Sequence, residues 1–130
     1  MKKILLLLFI LFSMSAYSQG LQKYQATKTS QAGGRYEIVQ SEIQRSQTFK
    51  LDKYTGKVYM LVTTKSDEVA WEEVQKNSAW HDTVTPDKVN YQLFLGGSAA
   101  RDCFLLNINT GATWILVKAK DDSFYFENFE

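Results

Sequence analysis

"TFKLDKYTGKVYMLV", residues 48–62, and "CFLLNINTGATWILV", residues 103–117, are two copies of one motif. Each copy has an apolar run, then Asp or Asn, then Thr-Gly, then a second run rich in β-branched and aromatic residues. This pattern is typical of a β-hairpin whose Gly supplies the positive φ of the turn. The Asp or Asn oxygen can accept backbone hydrogen bonds within the turn, as in an Asx turn. The motif therefore predicts two equivalent hairpins.

The hairpins belong to a longer repeat with a shift of 55 residues, which aligns Tyr36 with Tyr91 and Glu72 with Glu127 without a gap. Each copy contains four short runs typical of strands. They are "RYEIVQ", "TFKLD", "KVYMLVT" and "VAWEEV" in the first copy, and "NYQLFL", "CFLLN", "ATWILVK" and "FYFENF" in the second. We predict an all-β fold made of two four-stranded antiparallel meanders, unit one at 35–75 and unit two at 90–130.

Only "DEVAWEEVQK", residues 67–76, argues for a helix, because Ala, Glu and Gln favour one. Its counterpart "SFYFENFE" is aromatic and favours a strand. Since the two copies should share one fold, we predict a strand in both.

The pattern Leu51-Asp52-x-x-Thr55-Gly56-Lys57-x-Tyr59 resembles the inner hairpin of blades in quinoprotein-type β-propellers. Similar segments occur in small exported bacterial proteins without an assigned function. The resemblance implies four-stranded meanders and no cofactor. Propellers carry about four to eight blades, and this chain has two. Either several chains complete a ring, or the two meanders pack as a sandwich or partly closed barrel, which we favour.

The chain opens "MKKILLLLFILFSMSAYSQG", which has the basic start, short apolar run and small residues of a signal peptide at residues 1–18. The apolar run is shorter than the ~20 residues that span a bilayer. We expect a flexible arm at 19–34, a single domain at 35–130 and a connector at 76–89. The predicted location is secreted or periplasmic, with no lipid anchor and no membrane insertion after cleavage.

Charge excludes some classes of partner. The chain has 15 Lys and Arg, and removal of Lys2 and Lys3 leaves 13 basic against 14 acidic side chains. Without a basic patch there is no electrostatic case for nucleic acid. Cys103 is the single cysteine, so the protein forms no internal disulfide.

The Asp of the first hairpin is replaced by Asn in the second. Calcium binding or carboxylate catalysis needs the charge, whereas a turn needs only the oxygen. We therefore predict that both motifs are structural and that the protein has no metal site, no cofactor and no catalytic residue among them. The predicted turn residues are Asp52, Thr55, Gly56, Asn107, Thr110 and Gly111.

Two features argue for chemistry. His81 is the sole histidine and precedes Asp82, but a metal site needs about three protein ligands, so a solvated loop histidine is favoured. A hydrolase could use a facing pair of acids, although acids on the wet face of an edge strand are commoner. The candidate acids are Glu72, Glu73, Glu127 and Glu130.

Aromatic residues form 14% of the chain, and some can form a binding face. If Phe49 and Leu51 face the core, the repeat suggests the same for Phe104 and Leu106. Alternation would then place Cys103 and Leu105 on an apolar outer face of unit two. The predicted binding residues are Phe94, Cys103, Leu105, Trp114, Tyr125 and Phe129.

These features predict an exported module that binds a protein partner, as an inhibitor or as a subunit of an assembly. An apolar outer face must be covered by the chain itself, a second copy or another partner. The alternatives are a carboxylate-based hydrolase and a carbohydrate-binding module that uses surface aromatics.

Overall fold

The computed structural model describes residues 27–28, 34–41, 43–44, 46–96 and 102–128. The described residues form nine strands. They are β1 (Thr27–Lys28), β2 (Tyr36–Gln40), β3 (Thr48–Asp52), β4 (Val58–Thr63), β5 (Val69–Lys76), β6 (Tyr91–Leu95), β7 (Cys103–Asn107), β8 (Thr113–Lys118) and β9 (Phe124–Asn128).

The all-β prediction is confirmed, and each of the eight predicted runs corresponds to one strand, β2 to β9, although β5 extends two residues beyond the run predicted for it. The segment with helix-favouring composition is strand β5, because pairing with β4 from Val58↔Val74 to Thr63↔Val69 overrides local propensity. β1 lies within the segment predicted to be a flexible arm. It pairs with the end of β2, a contact that the polar sequence of the arm does not predict.

All strands belong to one sheet, in the order β1-β2-β3-β4-β5-β9-β8-β7-β6. The two meanders meet at β5 and β9, which pair in parallel through Gln75↔Tyr125 and Lys76↔Phe126. The sheet curves into a nearly closed barrel. Where the β3–β4 turn meets the start of β6, the carbonyl of Lys53 accepts hydrogen bonds from the amides of Asn90 at 2.8 Å and Tyr91 at 3.0 Å. The β3–β4 turn of unit one is thereby joined to the start of unit two.

Because of the strand order, equivalent residues of the two units lie on opposite faces of the sheet. Both meanders run outward from the central β5–β9 pair, and that pair is parallel, so equivalent strands such as β3 and β7 run in the same direction. Only a rotation about an axis along the strands exchanges the units while keeping those directions. Such a rotation turns the sheet over. Because successive side chains alternate between faces, equivalent residues of the two units point to opposite faces.

Burial agrees with this geometry at most positions where the sequence offers a matched apolar pair, although Met60 and Ile115, and Val62 and Val117, are half-buried in both units. Val39 is fully buried, whereas its equivalent Phe94 is 57% exposed. Conversely, Leu93 is fully buried and its equivalent Ile38 is 38% exposed. The core joins inner residues of both units. They are Val39, Phe49, Leu51, Val58, Val74, Tyr91, Leu93, Cys103, Leu105, Ala112, Trp114, Leu116 and Phe126.

The prediction that Cys103 and Leu105 lie on the outer face is wrong, since both are 1% exposed or less. It assumed that equivalent residues share an environment. In the sheet, Phe104 and Leu106 are the half-buried residues of β7 and point outward. The apolar outer face of unit two exists, but it carries the other set of side chains.

Candidate functional site

The outer surface of β6 to β9 is apolar, and we call it the unit-two face. Phe94 is opposite Phe104, and their ring centroids are 6.3 Å apart. Phe104 is opposite Ile115, and Val117 is opposite Tyr125, so the apolar side chains cross all four strands. Apart from the exposed Phe94, these side chains are half-buried. The face consists of Phe94, Phe104, Leu106, Ile115, Val117 and Tyr125.

The outer surface of β2 to β5, the unit-one face, is aromatic with a central cation. The Nζ atom of Lys50 lies 4.6 Å from the ring centroid of Tyr59 and 4.9 Å from that of Trp71. Cation–π attraction holds the ammonium over both rings while the aliphatic stem covers the sheet. The face consists of Tyr36, Ile38, Lys50, Tyr59, Leu61 and Trp71.

The structure divides the predicted binding residues into two groups. Phe94 and Tyr125 lie on the unit-two face. Cys103, Leu105 and Trp114 are in the core and cannot contact a partner. Phe129 lies outside the described residues.

Sequence reasoning missed four members of the unit-two face, which the repeat had assigned to the core or left unassigned. They are Phe104, Leu106, Ile115 and Val117. The signal that could have found them is the apolar character of both faces of "CFLLN" and "TWILVK". An antiparallel strand with one wet face alternates polar and apolar residues, and these strands do not.

The two turns have equivalent geometry. The amide of Tyr54 donates to Asp52 Oδ1 at 3.1 Å. The amides of Asn109 and Thr110 donate to Asn107 Oδ1 at 3.0 and 3.2 Å. These are Asx turns, in which either side chain supplies the acceptor oxygen.

The glycines of the turns differ in their surroundings. Gly56 has φ of 73° and Gly111 has φ of 83°, both in the region that favours glycine. A Cβ on Gly56 would lie 2.7 Å from the buried ring of Tyr91, whereas a Cβ on Gly111 would have no neighbour within 4 Å. Thr55 and Thr110 each accept a longer hydrogen bond, at 3.5 and 3.3 Å, from the amide two residues on.

Asp52 and Asn107 also have different further partners, because they project to opposite faces. The Asp52 carboxylate receives two hydrogen bonds from Arg35, from Nε at 3.1 Å and Nη2 at 2.8 Å. Asn107 projects inward and donates to Asp82 Oδ1 and to the carbonyl of Thr83, both at 2.9 Å. Asp52 is thus held by a cation of unit one, and Asn107 anchors the connector.

Inside the barrel, the connector inserts Asp82 into a polar cluster that sequence reasoning did not find. Lys76 Nζ lies 2.7 Å from Asp82 Oδ2, and the Tyr91 hydroxyl donates to Asp82 Oδ1 at 2.6 Å. The same ammonium is 4.3 Å from the ring centroid of Trp114. Alternation along β5 places Lys76 on the same face as buried Val74, which was the available signal. The position of Asp82 in an irregular loop gave none.

Electrostatic interactions in this cluster hold the connector against the barrel. Burial raises the pKa of Asp82, but hydrogen bonds from Lys76, Tyr91 and Asn107 outweigh it and hold the pKa below its ordinary value of 3.8. Burial and the hydrogen bond to Asp82 raise the pKa of Tyr91 above its ordinary value of 10.0. The carboxylate and the neutral phenol are therefore stable partners near neutral pH. The cluster therefore stabilises the fold by holding the connector in place.

Glu72 and Glu73 do not form a facing pair. Glu72 and Glu73 are adjacent in β5 and project to opposite faces, and Glu73 forms an ion pair with Lys57 at 3.4 Å. A cavity of about 390 Å³, lined in part by Glu72 and Phe124, opens where β5 diverges from the β8–β9 loop. Glu130 lies outside the described residues.

His81 lies in the connector and Cys103 lies in strand β7. His81 is half-buried, contrary to the expected solvated histidine, and its ring centroid is 4.6 Å from that of Trp80. The neighbouring Asp82 contacts Lys76 instead. Burial raises the pKa of the Cys103 thiol, so it stays protonated and unreactive. In the part of the chain that the structure describes, no three His, Cys, Asp or Glu residues are grouped to hold a metal ion.

No protein-family model, curated protein or solved structure matches the chain. Among the described residues, no helix has the length and apolar character needed to cross a membrane.

Proposed function

We propose that the protein is an exported module that binds a protein partner through the unit-two face. The observation that carries this proposal is an apolar, four-stranded outer surface with Phe94 57% exposed at its edge. A contiguous apolar patch on a folded domain marks an interaction surface more often than an isolated exposed residue does. Aromatic anchors such as Phe94 and Tyr125 suit the centre of a protein interface.

A protein partner is favoured over a sugar by the arrangement of the aromatics. A sugar stacks on the exposed face of an aromatic ring, and on the unit-one face Lys50 lies over both Tyr59 and Trp71. On the unit-two face, Phe94 and Phe104 are tilted by 41° to each other and lie mainly among apolar side chains, with Gln92 and Glu127 as the polar residues of the face. That surface is suited to apolar side chains.

Export is part of the proposal and rests on the leader at residues 1–18. The described domain is compatible with an oxidising compartment because its single thiol is buried.

Site-specific photo-crosslinking in the source cells tests the proposal. A photoreactive phenylalanine analogue replaces Phe94 in one variant and Trp80 in a matched control, since Trp80 is a 91% exposed aromatic residue outside both faces. We expect a discrete crosslinked protein band from position 94 and none from position 80. Leu106→Lys, which leaves position 94 intact, should abolish the band because it places a charge on the same face.

The proposal is contradicted if position 94 yields no protein adduct while the protein is folded and correctly processed. It is also contradicted if positions 94 and 80 yield the same adducts, which would indicate nonspecific adhesion of exposed aromatics.

A further inference from the structure

We propose that the unit-two face of one molecule binds the unit-one face of a second copy of this chain, so that copies associate head to tail. This inference rests on the proposed function and names its partner. It follows from the opposite orientation of the two units, which we call the inversion of faces. The residues on each outer face are the repeat equivalents of residues that the other unit directs into its core.

The unit-two face repeats the inner face of unit one. Phe104 and Leu106 are identical to their equivalents Phe49 and Leu51, which are fully buried. The other equivalent pairs are also apolar, with the inner residue first. They are Val39 and Phe94, Met60 and Ile115, Val62 and Val117, and Ala70 and Tyr125.

The unit-one face repeats the inner face of unit two. Leu61 is identical to the buried Leu116, and Trp71 stands where unit two buries Phe126. The remaining equivalents of this face, with the inner residue first, are Tyr91 and Tyr36, Leu93 and Ile38, Leu105 and Lys50, and Trp114 and Tyr59.

The inner faces of the two units pack against each other in one core. The two outer faces therefore carry the side-chain types of two surfaces that already pack together inside each molecule. Two different faces must meet for that packing to be reproduced. The contact between copies is consequently heterologous, and such contacts generate rings or open chains.

Charge supports the same pairing. The unit-one face carries Lys50 at the position of buried Leu105, and its carboxylate, Glu73 opposite Tyr59, is already paired with Lys57. The unit-two face carries an exposed carboxylate, Glu127, directly opposite Ile115 in the sheet. Contact between unlike faces brings opposite charges together. Contact between two unit-two faces would bring two Glu127 side chains together instead.

The size of the faces predicts weak association. Four strands of five to six residues cover about 19 Å by about 17 Å. That geometric area, about 320 Å² per molecule, is smaller than that of standard specific interfaces, so association should be weak and become visible at about 0.1 to 1 mM protein. We expect sedimentation velocity of the processed wild-type protein to show species larger than a dimer whose proportion grows with concentration.

A mixing experiment distinguishes this arrangement from any symmetric dimer. Leu61→Lys blocks the unit-one face and Leu106→Lys blocks the unit-two face, at half-buried outward positions. Each variant alone should be monomeric at about 1 mM, because its remaining intact face has no partner face. An equimolar mixture should form a heterodimer and nothing larger. Trp80→Lys, which lies on neither face, should associate as the wild type does.

Three results overturn the inference. They are a wild-type protein that stays monomeric at about 1 mM, either blocked variant forming dimers alone, and a mixture that remains monomeric while both variants are folded. If the wild type is monomeric and position 94 still crosslinks to a different protein, this inference is wrong and the proposed function stands. If position 94 crosslinks to nothing in cells, the proposed function is wrong, whereas this inference is decided by sedimentation of the purified protein and its variants.

Discussion

Units one and two have equivalent strands, equivalent turns and opposite faces. In unit one Phe49 and Leu51 fill the core and Lys50 is outside; in unit two Leu105 fills the core and Phe104 and Leu106 are outside. The difference follows from the parallel contact between β5 and β9, which turns one meander over relative to the other. A repeat therefore specifies strands and turns, while the position of each copy in the sheet decides which side of it is buried.

The largest expected effect is a difference in stability between the same substitution at two neighbouring positions of β7. Leu105→Lys should lower the free energy of unfolding by at least about 4 kcal/mol, because it places a charge in the core. Leu106→Lys should change it by less than about 1 kcal/mol, since the ammonium reaches solvent. Urea unfolding monitored by tryptophan fluorescence measures both. Equal destabilisation by the two variants would show that β7 is buried on both sides.

The connector provides the next largest effect. Asp82→Ala leaves the Lys76 ammonium, which is 21% exposed, without its carboxylate and removes the acceptor of Tyr91 and Asn107. We expect a loss of about 2 to 3 kcal/mol, less than for a fully buried pair because water can reach the ammonium. Thermal unfolding of Asp82→Ala beside Lys88→Ala, an exposed position in the same connector, checks it. Similar melting temperatures in both variants would contradict the role given to Asp82.

The two turns should respond differently to the same substitution. Gly56→Ala should cost about 2 to 3 kcal/mol, because positive φ is unfavourable for Ala and the new methyl group meets the ring of Tyr91. Gly111→Ala should cost about 1 kcal/mol, because the same backbone conformation has open space around it. Chemical denaturation of both variants compares them directly. Equal costs would mean that the Tyr91 ring moves aside freely.

The smallest effect concerns the acidic side chains and pH. Asp52 and Asp82 both have pKa values below their ordinary 3.8, because hydrogen bonds from Arg35 and from Lys76 outweigh the effect of burial. Their contribution to stability is present above pH 3.8 and is lost as pH falls through their folded-state values. Stability should fall less steeply with decreasing pH in Asp82→Asn than in Asp52→Asn, because Asp82→Asn removes the ion pair that contributes more. The Asp52–Arg35 pair contributes less, since Arg35 is 46% exposed and the pair is screened by solvent. Unfolding curves between about pH 2 and pH 7 measure these slopes.

Asp52→Asn at neutral pH should cost about 1 kcal/mol. The sequence comparison with Asn107 predicts an effect below ~1 kcal/mol, because the turn needs only the oxygen. The structure indicates an additional cost, because Arg35 loses its charged partner in this variant.

Much of the fold could be predicted from the sequence, for identifiable reasons. Thr-Gly after Asp52 or Asn107 marks the turns, and β-branched and aromatic runs mark the strands, because these signals are local. The repeat also resolved β5, whose own composition favours a helix.

The site could be predicted only in part, because the local sequence does not determine which face of a strand points into the core. Phe94 and Tyr125 were found from aromatic character, whereas Leu105 and Trp114 were misplaced by assuming that equivalent residues share an environment. No pattern in "KNSAWHDTVTPD" indicates that Asp82 enters the barrel. That position depends on Lys76 and Tyr91, which contact it only in the folded chain.

Cysteine labelling at two pairs of equivalent positions tests the inversion of faces most directly. In a Cys103→Ala background, single cysteines replace Val39 and its equivalent Phe94, and Ile38 and its equivalent Leu93. We predict rapid labelling by a water-soluble maleimide at positions 94 and 38, which are 57% and 38% exposed, and protection at 39 and 93 until the protein unfolds. Equal reactivity within each equivalent pair would contradict the inversion and, with it, the assignment of both outer faces.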